Sequence, residues 1–322
     1  MPPKIGIIGH GRIGSELSKR VKEKKFEVII ADLSGIYTLE RKKLDTLSNW
    51  LKYFKKVDIA CLCIPTLDDG RTAFHYMKTL LRENVPVVTA EKGALANYFP
   101  ELKLWLDKIG YSATVGGGTR MLGWLKDRIS THIEEIHLVI NGTLNYIFYQ
   151  LSEGKSLHQV IEMAKELGYT EPKAKTPLEV INAEANGDIP RKTAILINVC
   201  NLGEIREKEI SVVPFSEKDL EILIREAKNR RYIVSISQKE LKEEVIGGFK
   251  FKINKWYITA GFKKLNSHPL FSYLRLPKVD NGVVISGLEG RYFLCGPGAG
   301  AIPTVCAGII KDIEKLIKDK LV

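Results

Sequence analysis

Two lysines in this chain stand where their types and spacing could do chemistry. Lys192 closes ANGDIPRK, residues 185–192, where a Gly-Asp turn runs through Pro190 into an apolar segment. A plain account makes this a helix start. Asp188 suits an N-cap, Pro190 is tolerated in a first turn, and Asp188 and Lys192 stand at i,i+4 spacing. Lys92 follows the apolar run VPVVTA in the segment EKGALA. A lysine amine takes a proton from a hydroxyl only after its pKa has been lowered, by burial or by a second nearby cation. A pair of lysines so placed suits acid–base work at a carbon bearing a hydroxyl or carbonyl. For either lysine alone, a solvated surface side chain is the simpler account.

A second signature opens the chain. KIGIIGHGRIGSELSKRV reads as strand, glycine turn and helix, with Gly9, Gly11 and Gly14 in G-x-G-x-x-G spacing. Gly9 permits the tight turn, Gly11 lets backbone approach a pyrophosphate, and Gly14 lets helix and strand pack closely. Arg12 and Ile13 fall in the turn that would face the phosphates. The next strand, FEVIIAD, ends on Asp32, at the spacing of an acid that binds the adenosine ribose hydroxyls. An acid there favours NAD because it repels a 2′-phosphate. Arg41, Lys42 and Lys43 follow closely and leave NADP open.

These residues need a scaffold. VDIACLCI and VPVVTA read as strands with the helical GRTAFHYMKTLLREN between them, which predicts a parallel sheet with helices on both faces. Ligands bind at the carboxyl ends of such strands, and Lys92 lies just past one. ATVGGGTRMLGWLKDRI reads as strand, glycine turn and helix. EEIHLVINGTLNYIFYQL follows as strand, Asn-Gly-Thr turn and helix, and SLHQVIEMAKELG as an amphipathic helix stopped by Gly168. A long irregular polar connection, YTEPKAKTPLEVINAEANG, precedes Asp188. SEKDLEILIREAKNR reads as a helix, RYIVSIS and VIGGFKFKI as strands of a mixed sheet suited to a subunit interface. GPGAGAIPTVCAGIIKDIEKLI is a second glycine turn capping a helix. The expected class is α/β. A Rossmann-type dinucleotide-binding domain spans 1–130 and is completed by 291–322. An α+β substrate-binding and dimerisation domain with a mixed sheet spans 131–290.

Composition narrows the partners. A chain of 322 residues with 44% hydrophobic and 27% charged residues is that of a soluble globular protein. Its net charge of +11 is spread along the chain, which disfavours a nucleic-acid partner. Five cysteines suggest no disulfide framework, and six dispersed histidines suggest no metal ligand. No apolar run is long enough to span a membrane, and the first strand starts too early for a signal peptide, so a cytoplasmic location is expected.

In chain order, GIIGHGRIGSEL, VVTAEKGALA, ATVGGG, INGTLNYI, ELGYTEP, GDIPRKTAIL, HPL and GPGAGAIPT resemble the homoserine dehydrogenase family over residues 6 to 304. The resemblance implies NAD(P)-dependent interconversion of L-homoserine and L-aspartate 4-semialdehyde in threonine and methionine biosynthesis, by a homodimer. It also implies a short form lacking the ACT-type regulatory domain of some members. Lys192 and Lys92 correspond to the family's catalytic lysines. Glu171 and Asp188 match acids of the amino-acid site, and Tyr169, Gly142 and Thr143 match substrate contacts. Glu184 fills a further acid position if one residue is deleted before Asp188. Gly298 and Ala299 match the glycine turn that approaches the cofactor. Carbonyls of Val115, Gly117 and Thr119 match a monovalent-cation site, although Ser112 stands where the family's glutamate ligand usually lies. Glu91 replaces a usual asparagine beside Lys92, and the Asp188 motif is one residue short. These departures leave two alternatives: a related oxidoreductase acting on another amino acid or semialdehyde, or a cofactor-binding regulatory protein without catalysis.

Overall fold

A computed structural model of the chain describes residues 2–129, 132–169 and 174–320. It divides into two units, Met1–Arg120 with Ala301–Val322, and Met121–Gly300.

The first unit is built on seven strands: β1 Lys4–Ile8, β2 Glu27–Asp32, β3 Gly35–Thr38, β4 Lys43–Asp45, β5 Ile59–Leu62, β6 Val87–Thr89 and β7 Ile109–Gly110. They run in the order β4-β3-β2-β1-β5-β6-β7. The β2-β1-β5-β6-β7 part is parallel, whereas β3 and β4 pair antiparallel at one edge. The chain between β2 and β3 is too short for a crossover, so it can only turn back as a hairpin. Strand β5 is buried throughout, as expected of a sheet covered on both faces. The helix Arg12–Glu23 buries Gly14, Leu17, Ser18 and Val21. Leu17 and Val21 share a core with Ile5, Ile7 and Ile30 of the sheet and with Val305, Ile309 and Ile313 of the C-terminal helical segment. ATVGGG is not a strand. Ile109–Gly110 forms the strand, and residues 112–116 are turn and bend before a short 3-10 turn at Gly117–Thr119. Gly116 and Gly117 both take positive φ, which ends any extended run there.

The second unit carries β8 Ile133–Val139, β9 Arg230–Ser237, β10 Val245–Ile253, β11 Trp256–Lys264, β12 Asp280–Gly287 and β13 Gly290–Pro297, in the order β10-β11-β9-β8-β12-β13. Every pairing is antiparallel, so this sheet is not the expected mixed one. Very short turns join β10 to β11 and β12 to β13, and such turns permit only antiparallel pairing. Val139, Ile233 and Val284 pack with Leu270, Phe271 and Leu274 in one core.

The polar stretch before Asp188 is likewise not irregular. Pro177–Ala183 is a helix with a Thr176–Glu179 capping box. It continues through a π-helical turn, Glu184–Asp188, into the helix Ile189–Val199. Asp188 therefore lies inside a helical run with φ −67° and ψ −41°, and its side chain caps nothing. The wide π turn ends one residue before the Ile189-Pro190 helix start, and Pro190 has no amide hydrogen for an ordinary helical bond.

Candidate active site

Glu184, Asp188 and Lys192 recur every four residues along that helical run and so share a face. In the second unit they meet Asn141, which ends the chain leaving β8. The Asn141 side-chain amide donates to Glu184 at 2.5 Å and to Asp188 at 2.8 Å. Its Oδ1 accepts from the Leu144 amide at 2.7 Å, which caps the helix Gly142–Ser152. Lys192 is 7% exposed. Its Nζ lies 2.6 Å from the same Asp188 oxygen and donates to the Ile140 carbonyl at 2.8 Å. An ammonium has three protons, so among the described residues these two partners leave one for a ligand. Two carboxylates, one amide and one lysine thus converge on one spot, a set able to hold an ammonium and exchange a proton. Asn141 did not stand out in the sequence as a site residue. The signal present was an asparagine between a strand and a helix, which reads equally well as a helix cap.

The other expected substrate contacts divide. The Thr143 hydroxyl donates to the Tyr169 carbonyl at 2.7 Å, and the Tyr169 and Tyr146 rings meet edge-on at 5.4 Å. Gly142 is packed so closely that an added Cβ would come within 2.7 Å of the Val279 carbonyl and 3.2 Å of the Ala299 Cβ. This brings Gly142, Gly298 and Ala299 together beside Thr143. Glu171 lies outside the described residues.

In the first unit the glycine turn has the features a dinucleotide requires. Gly9 has φ +92°, and a Cβ on Gly14 would collide with the Gly9 carbonyl. A Cβ on Gly11 would meet nothing within 4 Å, leaving open space where backbone could approach a phosphate. Gly11 caps the helix Arg12–Glu23 without a side-chain bond, and its first turn holds no acid. Unsatisfied amides and the helix dipole there favour an anion. Arg12 is exposed, while Ile13 leans on the core.

Asp32 accepts from the Ser34 amide at 2.9 Å and from Arg41 at 2.9 Å. Burial opposes its ionisation, but the Ser34 and Arg41 bonds outweigh it and hold the carboxyl below its usual range. Arg41 also lies 4.3 Å above the Tyr37 ring. The acid that would bind ribose hydroxyls and the cation that would bind a 2′-phosphate are thus one ion pair.

Lys92 follows β6 at the carboxyl edge of the parallel strands and is half-buried. Glu91 does not simply lie beside it. The buried Glu91 carboxylate accepts from the Gly93 amide at 2.5 Å, the Ala94 amide at 3.0 Å and the Thr66 hydroxyl at 2.6 Å, closing the turn Gly93–Asn97. Near the cation positions, the Ser112 amide and hydroxyl donate to Asp312 at 2.8 and 2.7 Å. A carboxylate from the C-terminal helix therefore sits at Ser112, close in sequence to Val115, Gly117 and Thr119. Burial raises the Asp312 pKa, against the pull of the Ser112 bonds.

The histidines, dispersed in the sequence, do not all stay apart. His137 and His268 each place Nε2 3.4 Å from one Glu135 oxygen. His268 Nδ1 accepts from the Leu270 amide, which leaves the neutral ring's proton on Nε2, facing the carboxylate. His137 hydrogen-bonds to the acid, and the His268 ring lies against His137 with its Nε2 3.4 Å from the same carboxylate oxygen.

The homoserine dehydrogenase family model matches residues 125–313. The homoserine dehydrogenase of Pyrococcus horikoshii is 27% identical, over 98% of this chain and 97% of its own length. That of Synechocystis is 23% identical, over 98% of this chain and 74% of its own. Among solved structures, a hyperthermophilic archaeal homoserine dehydrogenase in complex with NADPH aligns with a TM-score of 0.71 and 25% identity, covering 99% of this chain and 98% of that one. The Thermoplasma acidophilum enzyme aligns with a TM-score of 0.74 and 19% identity, covering 99% and 100%, a likeness of fold alone.

Proposed function

The chain belongs to the homoserine dehydrogenase family, and from that premise we propose that Asn141, Glu184, Asp188 and Lys192 form its substrate and proton-transfer site. The family activity is NAD(P)-dependent interconversion of L-homoserine and L-aspartate 4-semialdehyde, an amino-acid biosynthetic step. The observation that carries the site assignment is the double hold on Lys192 by Asp188 and the Ile140 carbonyl. A bound nicotinamide dinucleotide supplies or accepts the hydride. In reduction, the third Lys192 proton passes to the aldehyde oxygen as that oxygen gains charge. In oxidation, the amine must first shed a proton and then takes one from the substrate hydroxyl. Glu184 and Asp188 supply negative charge for the substrate ammonium, with Glu171 as a further acid. The hydroxyl and amide groups around Thr143, Gly142 and Tyr169 suit its carboxylate. Lys92 is read as the second catalytic lysine.

Gly9, Gly11, Arg12, Ile13, Gly14, Asp32, Gly298 and Ala299 are assigned to the cofactor. NAD is favoured by Asp32, with NADP use governed by Arg41. Replacing Asp32 with Ala removes the charge that repels a 2′-phosphate and frees Arg41. The kcat/KM ratio for NADP over NAD then rises about tenfold, or roughly 1.4 kcal/mol. Arg41→Ala moves the ratio the other way. Initial rates with both cofactors check this, and an unchanged ratio in both variants overturns the assignment.

A monovalent cation at the Val115, Gly117 and Thr119 carbonyls belongs to the same reading, with Ser112, which bonds Asp312, at the position of the family's glutamate. A homodimer located in the cytoplasm, without nucleic-acid or membrane partners, completes it. Among the described residues no helix is long and apolar enough to cross a membrane. The direct test is an initial-rate assay. L-Homoserine drives nicotinamide reduction, while propanol and L-aspartate do not; a rate with propanol but none with homoserine refutes the substrate.

A further inference from the structure

Well along the helix Gly142–Ser152 from Asn141, a pocket of about 600 Å³ opens among Tyr149, Ser152, Glu153, Lys228, Arg231 and Arg275. Its charge is out of balance. Arg231 is 2% exposed. One of its terminal nitrogens donates to the Ala227 and Arg230 carbonyls at 2.7 and 2.8 Å. Its Nε is buried without a hydrogen-bond partner among the described residues. Among the described residues no carboxylate forms an ion pair with Arg231, Arg275 or Lys228. Burial, then Arg275, lower the Arg231 pKa to about 10, so it remains charged at neutral pH. Burying an unpaired guanidinium is costly unless an anion completes it.

We propose that this pocket binds a small oxyanion, a carboxylate or phosphate group held by Arg231, Arg275 and Lys228. A planar guanidinium presents several N–H donors in a fork that matches such a group. Arg231 supplies the buried end, while the exposed Arg275 and Lys228 neutralise the outer oxygens. Glu153, on the wall, contributes only one opposing charge to three cations. The pocket is large enough for a small metabolite rather than a bare ion alone. The helix that lines it is tied, through Asn145, to the carbonyls of Leu276 and Lys278 at 3.2 and 3.0 Å. An occupant would therefore rest against both walls of one hydrogen-bonded unit.

The test titrates the full chain with inorganic phosphate, and separately with succinate, against sodium chloride at matched ionic strength. Calorimetry and thermal melting are the readouts. Saturable binding of at least one oxyanion is expected, with a rise in Tm of roughly 2–4 °C. A Lys228→Gln/Arg275→Gln double variant keeps the buried Arg231 framework. It should bind about tenfold or more weakly while its rate with homoserine is unchanged. A response to phosphate alone assigns the ligand as a phosphate compound, and a response to succinate alone as a carboxylate. If neither ion acts beyond chloride, or the double variant binds equally well, the occupant is an adventitious ion only and the proposal falls. Because binding is read without substrate or cofactor, failure here leaves the homoserine reading standing.

Discussion

Lys192→Ala lowers kcat by about 10²–10⁴-fold in both directions, the usual contribution of a positioned acid or base. In reduction the variant loses the proton donor to the aldehyde oxygen, and in oxidation it loses the acceptor. Asp188 does not replace it: in reduction an ionised carboxylate has no proton to give, and in oxidation a carboxylate is a far weaker base than an amine for taking a hydroxyl proton. The change also strips Asp188 of its 2.6 Å partner and leaves the Ile140 carbonyl without that donor. Breaking a buried pair by removing one member costs up to roughly 3–5 kcal/mol. The open side of Asp188, whose side chain is 20% exposed, lets water offset part of that. A melting curve must therefore accompany the assay. Among the described residues Lys192 bonds none of those assigned to the cofactor, so cofactor binding by fluorescence titration is expected to remain at the parent level. A folded variant with unchanged turnover removes Lys192 from the reaction.

Asn141 carries the second large effect. Its amide donates to Glu184 and Asp188 together, while its carbonyl oxygen caps the helix Gly142–Ser152. Asn141→Ala removes all three bonds. Loss of the cap costs about 1 kcal/mol, and a hydrogen bond to a charged acid is worth roughly 1.5–3 kcal/mol more. Homoserine KM should rise about tenfold as the two carboxylates repel and reorient. Asn141→Asp separates the two roles. Aspartate still caps Leu144 but cannot donate when ionised, and it adds a third carboxylate to the cluster. If donation to the acids matters, the Asp variant binds homoserine less well than the Ala variant. If capping alone matters, the Asp variant behaves like the parent, and Asn141 is only a structural residue.

Much of this arrangement was legible in the chain. Period-two and helical apolar patterns predict β1, β2 and the flanking helices, because local sterics and one-sided burial act within a few residues. Gly9, Gly11 and Gly14 announced their turn because only glycine tolerates that backbone and that approach. The i,i+4 spacing of Asp188 and Lys192 is visible in the chain, but Glu184 falls in a stretch that reads as irregular, and only the continuous helical run puts all three on one face. Where the reading erred, the deciding contacts were distant. Residues 177–188 look polar and irregular, yet they form helix because Val180 and Ile181 are buried and a capping box starts the run. Glu91 looked like a neighbour for Lys92, but the amides of Gly93 and Ala94 and the hydroxyl of Thr66 claim its carboxylate.

Local order and residue chemistry were thus the chain's own: a nucleotide-type turn, two lysines, an Asp188–Lys192 pair at helical spacing, and a family resemblance running through both. Only the folded chain joined residues far apart in sequence. Asn141 meets Glu184 and Asp188, Ser112 meets Asp312, and Arg231 lies buried with no carboxylate paired to it among the described residues. The reason is physical. Spacing along a helix or strand follows from backbone geometry, which short-range sterics determine. Which side chains share a buried hydrogen bond depends on how helices and sheets pack, and that is settled by the core as a whole.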